Sequence, residues 1–219
     1  MLEYASALDS RSCAVATEPP IALRKYLSSA LIALGGWMFR HRAWLPVPFA
    51  LSLVHLSRRG THSASLTITG GLLVLAGESL RIWATRHIGV IARTRTSRVG
   101  PLVVSGPFAI VRNPLYVGNM LLWSGVTCWA GLPRILPLCW LFFFLHYYVM
   151  ARWEEHLLAT HYGEAYRRYA RRVPACIPQR WRRPAARADA SFGWKDTIFS
   201  ERGTVLALAV MAGLLVLRS

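Results

Sequence analysis

The sequence predicts an all-α integral membrane protein with four to five transmembrane helices. Apolar residues make up 54% of the chain and charged residues only 16%, with nine tryptophans, a balance rare among soluble domains. Several apolar runs approach the roughly 20 residues a helix needs to cross a bilayer. The 26 Lys and Arg flank these runs instead of covering one soluble face. At 219 residues the chain has the size of one domain.

The elements follow in order. Residues 1–22 are mixed in polarity, carry Glu3, Asp9 and Glu18, and lack the basic start, apolar stretch and small-residue cleavage site of a signal peptide. They read as a disordered N-terminal tail. Residues 23–178 read as the membrane domain. Its first segment, LRKYLSSALIALGGWMFR (23–40), contains Gly-Gly and is charged at both ends, which suits an interfacial helix or part of a first span. AWLPVPFALSLVHL (43–56) is a short span with two prolines, and SLTITGGLLVLAGESLRIWAT (65–85) is long enough to cross. LYVGNMLLWSGVTCWAGL (115–132) and ILPLCWLFFFLHYYVMA (135–151) are separated by only Pro133-Arg134, which predicts a tight helical hairpin. A basic linker (179–202) precedes an additional C-terminal membrane helix (203–219), whose apolar run TVLALAVMAGLLVL is thin for a full crossing.

The net charge of +16 raises the possibility of nucleic acid. The basic residues are 24 Arg against two Lys, placed at the ends of apolar runs, without zinc-finger spacing or an aromatic RNA-binding motif. Membrane orientation and anionic headgroups account for them better, and no nucleic acid partner is expected. If the loop 86–112, the segment 152–202 and the N-terminal 42 residues share one side, that side holds 21 Lys and Arg against 4 on the other. The positive-inside rule then makes it the cytoplasmic side. The four cysteines, at 13, 128, 139 and 176, form no CxxC pair and no metal spacing, so no metal site is expected.

Acids are scarce. Between residues 19 and 188 there are four: Glu78, Glu154, Glu155 and Glu164. Glu78 lies in a span three residues before Arg81, as an internal ion pair or as a functional group. Glu164 precedes Arg167 and Arg168 at the spacing of a surface helix pair. Glu154 and Glu155 fall where an apolar run becomes RWEEHLLATHYGEAYRRYARRVP, in which Trp153, Leu157, Tyr162, Tyr166 and Tyr169 form an aromatic stripe suited to an interfacial helix. The hairpin makes this segment emerge beside GPFAIVRNPLYVGN (106–119). Pro114 lacks an N–H and biases Asn113 away from helix, so Arg112-Asn113 enter the span through a bend. A crevice results, with an amide, a guanidinium and a tyrosine on one wall and two carboxylates on the other. It suits a small zwitterionic or cationic cofactor.

SGPFAIVRNPLYVGN followed by EEHLLATHYGEAYRRYARRVPACIP resembles the isoprenylcysteine carboxyl methyltransferase family and its phospholipid N-methyltransferase relatives. The family pattern is a GPY turn, Arg-His-Pro-x-Tyr-x-Gly, a helical hairpin, Glu-Glu-x-x-Leu and Gly-x-x-Tyr-x-x-Tyr before Val-Pro; the match runs over residues 78–178. The resemblance implies a cytoplasmic-face cofactor pocket, formed by the helical hairpin and a C-terminal interfacial helix, that binds S-adenosylmethionine while a lipid-like substrate enters from the bilayer. It places cofactor contacts on Leu102, Val103, Phe108, Asn113, Pro114, Leu115, Tyr116 and Glu154, with Arg93, Gly100 and Pro101 at positions where residue types diverge. Three departures stand out: Asn113 replaces a His, Phe108 replaces the turn Tyr, and Met150 replaces an Arg that positions a substrate carboxylate in eukaryotic members.

The resemblance implies a membrane methyltransferase acting on a lipid-like or membrane-embedded acceptor, a carboxylate or an amine. In this reading Glu154 holds the cofactor's positive end, and Arg112 and Arg152 hold anionic groups, with Arg152 standing in for the missing Arg. Glu155, or a neighbouring His (146, 156 or 161), serves as base where the acceptor needs one. An NADPH-dependent sterol-type reductase, similar over the same hairpin and tyrosine-rich tail, is the rival enzyme. A non-enzymatic scaffold binding anionic membrane lipids is the third reading.

Overall fold

The computed structural model describes residues 21–88, 100–178 and 193–217. Every regular element among them is helical: α1 (Ile21–Arg40), α2 (Val47–Leu56), α3 (Ala64–Ile88), α4 (Pro114–Trp129), α5 (Leu136–Tyr162), α6 (Glu164–Arg172) and α7 (Trp194–Val216). By length and composition, α3, the stretch Pro133–Tyr162 containing α5, and α7 can each cross a membrane. Their outward faces are apolar and exposed, including Leu72 and Leu75 on α3, Leu141 and Phe144 on α5, and Leu206 and Val210 on α7. That is the surface expected of a protein solvated by lipid.

Expectation and structure differ at several boundaries. The 43–56 segment yields only the 10-residue α2, because turns occupy residues 41–46 ahead of it. At about 1.5 Å per residue it is too short to cross. The hairpin's first arm, α4, has 16 residues and also falls short of a full span on length. Residues 1–20 lie outside the described part, but Ile21 and Ala22, assigned to the tail, already belong to α1. α7 starts at Trp194, inside the stretch read as linker, of which residues 179–192 lie outside the described part. The aromatic stripe predicts one interfacial helix. Instead α5 continues unbroken to Tyr162, and the chain turns at Gly163, with φ of +55°, into the short α6. Trp153 and both glutamates therefore ride on the long helix itself.

The packing explains which elements are neighbours. α3 and α4 form the most extensive pair. Gly70 faces Gly125 and Gly77 faces Gly118, with each glycine against a backbone carbonyl of its opposite. Small residues let helix backbones approach where apolar surface alone gives helices in lipid little reason to associate. α1 lies along α5, and its Gly35-Gly36 abuts Val149 and Trp153. The Gly-Gly that weakened the sequence case for a span is thus a packing surface. α5 also closes against α4 through Trp123 stacked on Phe143 and Tyr116 stacked on Tyr147, at 4.8 and 4.9 Å between ring centroids. The corner between them runs through Gly131 and a short 3-10 turn at Pro133–Ile135. Cys128 and Cys139 are buried.

Candidate active site

The hairpin brings the two motifs together. The Tyr116 hydroxyl donates to Glu154 Oε2 at 2.7 Å, and Arg112 Nη1 pairs with Glu155 Oε1 at 2.8 Å. Adjacent carboxylates on a helix diverge by about 100°. Here each takes its own partner, yet both line the same cavity. Arg152, one helical turn before Glu155, pairs with it at 3.5 Å but is half-exposed and does not line the cavity.

The entry bend is built from its backbone. The Gly106–Ala109 turn begins at Gly106 with φ of +58°, and a Cβ there would run into the His87 ring. Phe108 is buried in it. Asn113 is the N-cap residue of α4 without a side-chain cap. Its amide donates instead to the Ala175 carbonyl at 3.2 Å, and its backbone N–H reaches the same oxygen at 3.0 Å. Arg112 N–H donates to Pro174 O at 2.8 Å, so the chain after α6 straps the bend. Tyr169 adds a hydrogen bond to Phe108 O at 2.8 Å, and Tyr162 donates to Gly100 O. Burial raises the Tyr169 hydroxyl above the ordinary phenol range and pushes Tyr166 up to about 12, so both remain neutral phenols at physiological pH. Glu164 pairs with Arg167 and with Arg171, one turn beyond the Arg168 expected from sequence. Tyr169→Phe is expected to lower stability by about 1 kcal/mol, read as a fall in melting temperature, because it leaves the Phe108 carbonyl unpaired.

The cavity measures 590 Å³, within the range of small-molecule sites. Leu102, Val103, Phe108, Arg112, Asn113, Pro114, Leu115, Tyr116, Glu154 and Glu155 all line it, as do Gly100 and Pro101. Arg93 lies outside the described residues. The chemistry of the cavity lining fits a zwitterion with an adenine. Carboxylate and guanidinium stand at one end among apolar and aromatic walls, and the buried Arg112 Nε has no protein partner. Of the histidines proposed as bases, His146 lines the cavity and has an unpartnered Nε2, whereas His156 and His161 are exposed. Met150, at the position of the missing Arg, is a buried part of the wall. Among the described residues no three His, Cys, Asp or Glu side chains are grouped to hold a metal ion.

Sequence reasoning left the far end of the cavity unassigned. Arg81, Asn119, Trp123, Tyr147 and Thr204 line it there. The Glu78–Arg81 pair exists, at 3.3 Å, but Arg81 also binds Glu201 at 2.7 Å. The i,i+3 spacing revealed the first contact; nothing in the local sequence pointed to the second.

The phospholipid methyltransferase family model matches residues 66–165. The cobalt-zinc-cadmium resistance protein CzcN of Cupriavidus metallidurans is 31% identical over 154 residues, covering 67% of this chain and 68% of the relative. The chain belongs to the phospholipid and isoprenylcysteine methyltransferase family. The nickel-cobalt-cadmium resistance protein NccN of Alcaligenes xylosoxydans xylosoxydans is 33% identical over 117 residues, 53% of this chain and 52% of the relative. The human protein-S-isoprenylcysteine O-methyltransferase is 32% identical over 121 residues, 52% of this chain and 41% of the enzyme. The match thus spans less than half of that enzyme's length. No solved structure gives a significant match. Membership in this membrane methyltransferase family favours neither the reductase nor the scaffold reading.

Proposed function

We propose that this protein is an S-adenosylmethionine-dependent methyltransferase of the bacterial inner membrane, with its pocket facing the cytoplasm and a lipid-like acceptor arriving from the bilayer. The acceptor's reacting group is a carboxylate or an amine. The observation that carries the reading is the meeting of the Arg-Asn-Pro bend and the twin glutamates across one cavity, through Tyr116–Glu154 and Arg112–Glu155. The chain's 21-to-4 asymmetry of Lys and Arg supports the orientation.

In the proposed mechanism Glu154, held by Tyr116, would bind the cofactor's ammonium. Arg112, oriented by Glu155, offers its unpartnered Nε to the cofactor's carboxylate, and Phe108 with Leu102, Val103 and Leu115 encloses the adenine side. S-adenosylmethionine supplies an electrophilic methyl group on a sulfonium. Around that group the apolar and aromatic walls would act by aligning the acceptor and by excluding water. A carboxylate acceptor needs no base. An ammonium acceptor must first lose a proton, and His146 and Glu155 are the lining groups able to take it. Arg152 acts on Glu155 from outside the cavity as an orienting charge.

Membranes containing the protein, incubated with methyl-labelled S-adenosylmethionine, are expected to incorporate label into the lipid extract. Mild alkali separates the two acceptor classes: it releases methanol from a methyl ester and leaves an N-methyl group in place. Absence of both incorporation and cofactor binding would overturn the reading.

A further inference from the structure

Helix α7 lies outside the family-matched residues 66–165. Much of its surface is exposed and apolar, including Ile198, Phe199, Val205, Leu206 and Val210. In lipid such a surface gives a helix little reason to choose one neighbour or one register; polar contacts do. Those that α7 makes through Glu201 and Thr204 converge on one point. Glu201, only 2% exposed, accepts from Arg81 Nη2 and from Thr85 Oγ1, both at 2.7 Å. Thr204 Oγ1 accepts from Arg81 Nη2 at 2.8 Å. Arg81 Nε donates to Glu78, and Nη1 to the Asn119 side-chain oxygen. One guanidinium therefore gathers α3, α4 and α7.

Neutralising Arg81 does not require this arrangement, because Glu78 on the same helix already balances its charge. Burying a second carboxylate against the same cation adds a desolvation cost that charge balance alone does not justify. What the extra contacts accomplish is orientation. A planar fork held at all three nitrogens cannot swing. Arg81, Asn119 and Thr204 also line the cavity; Asn119 is about two turns along α4 from Arg112, and His146 and Tyr147 more than two turns before Glu155 on α5, which puts this group at the end away from the Arg112–Glu155 pair. Among the described residues, four of the five Arg81 N–H groups have protein partners, leaving one on Nη1 for a ligand.

Resting on the methyltransferase reading, we propose that α7 is part of the catalytic unit: Glu201 and Thr204 are positioning residues that lock Arg81 into the cavity's far end, where its guanidinium meets the polar head of the acceptor. The terminal helix then completes the acceptor subsite, while the cofactor subsite is built entirely within the family-matched hairpin and its flanks.

The test uses the full chain in detergent or nanodiscs, with two readouts: calorimetric affinity for S-adenosylhomocysteine, and label transfer from methyl-labelled S-adenosylmethionine into total membrane lipid. Glu201→Gln keeps the shape and removes the charge. It is expected to lower transfer by roughly tenfold to a hundredfold, the cost of a misplaced group, while affinity for S-adenosylhomocysteine stays near wild type. Glu201→Asp should recover part of the rate. Thr204→Val, which deletes one hydroxyl, carries the same expectation in milder form and serves if Glu201→Gln is not recovered folded. Unchanged transfer in both variants overturns the proposal. So does a loss of cofactor affinity that matches the loss of transfer, since α7 would then only support the fold. Failure of the parent reading is distinguishable because it appears in the unmodified protein, which would neither bind S-adenosylhomocysteine nor transfer label.

Discussion

Glu154→Gln is expected to weaken S-adenosylmethionine binding by about 2–4 kcal/mol, roughly thirtyfold to a thousandfold, when titrated calorimetrically at neutral pH. In the proposed complex this carboxylate is the cavity's counter-charge to the cofactor's ammonium. It lines the cavity and is fixed by the Tyr116 hydroxyl at 2.7 Å. The amide retains the shape and one acceptor oxygen but loses the charge, and it presents an NH₂ where an acceptor stood. Tyr116→Phe should cost less, because it frees the carboxylate to move without neutralising it. Equal affinity in wild type and Glu154→Gln would reassign this end of the cavity, even if methyl transfer persisted.

A second large effect is expected far from any chemistry, and with opposite signs at two nearby glycines. Gly77→Ala would place its methyl carbon 2.7 Å from the Gly118 carbonyl oxygen and 3.0 Å from the Leu122 nitrogen. Both are backbone atoms, so α3 and α4 must separate, and overpacking of this kind costs about 1–3 kcal/mol. Gly71, on the same helix, has nothing within 4 Å of such a carbon. Gly71→Ala should therefore stabilise by about 0.5–1 kcal/mol through helix propensity. Thermal unfolding in detergent reads both. If the two substitutions shift the midpoint in the same direction, the close backbone contact between α3 and α4 is wrong. Because a Cβ at Gly118 would lie 2.6 Å from Arg81 Cγ, this interface also borders the cavity's arginine, and widening it should disturb the cavity too.

How much of this was legible in the sequence depends on the range of the contact. Pro114 after Asn113 announced the bend, and Pro133-Arg134 announced the corner. Together these were enough to place VRNPLY beside RWEEH before any coordinates. That adjacency put Arg112 and Glu155 on facing walls, but the ion pair between them was not foreseen. Arg152 lies outside the cavity wall for a helical reason: Glu155 is one turn away on the same rod, so Arg152 reaches that carboxylate from outside. Gly70, Gly77, Gly118 and Gly125 were written in the sequence at a spacing of seven within each helix, a pattern that marks a small-residue helix face. They went unread because glycine in an apolar run first suggests weakness. Glu201 had no local signature at all. Its partner lies 120 residues away, and only the packing of α7 against α3 creates the contact. The boundary errors at Tyr162 and Trp194 share a cause: polar residues were taken to end a helix, although a helix emerging from lipid keeps its backbone hydrogen bonds into water.

The unbroken course of α5 has a further consequence. Its 27 residues form a rod about 40 Å long, whose first part is embedded in hydrocarbon and whose last part carries Glu154 and Glu155. With no hinge between anchor and carboxylates, the rod fixes how high that pair rides above the acyl chains. On the proposed methyltransferase reading, bilayer thickness then becomes a control on catalysis. A thinner membrane would lift the carboxylates away from the layer in which acceptors travel, and a thicker one would draw them down. Turnover measured across vesicles of graded acyl length should pass through a maximum where the ruler and the membrane agree.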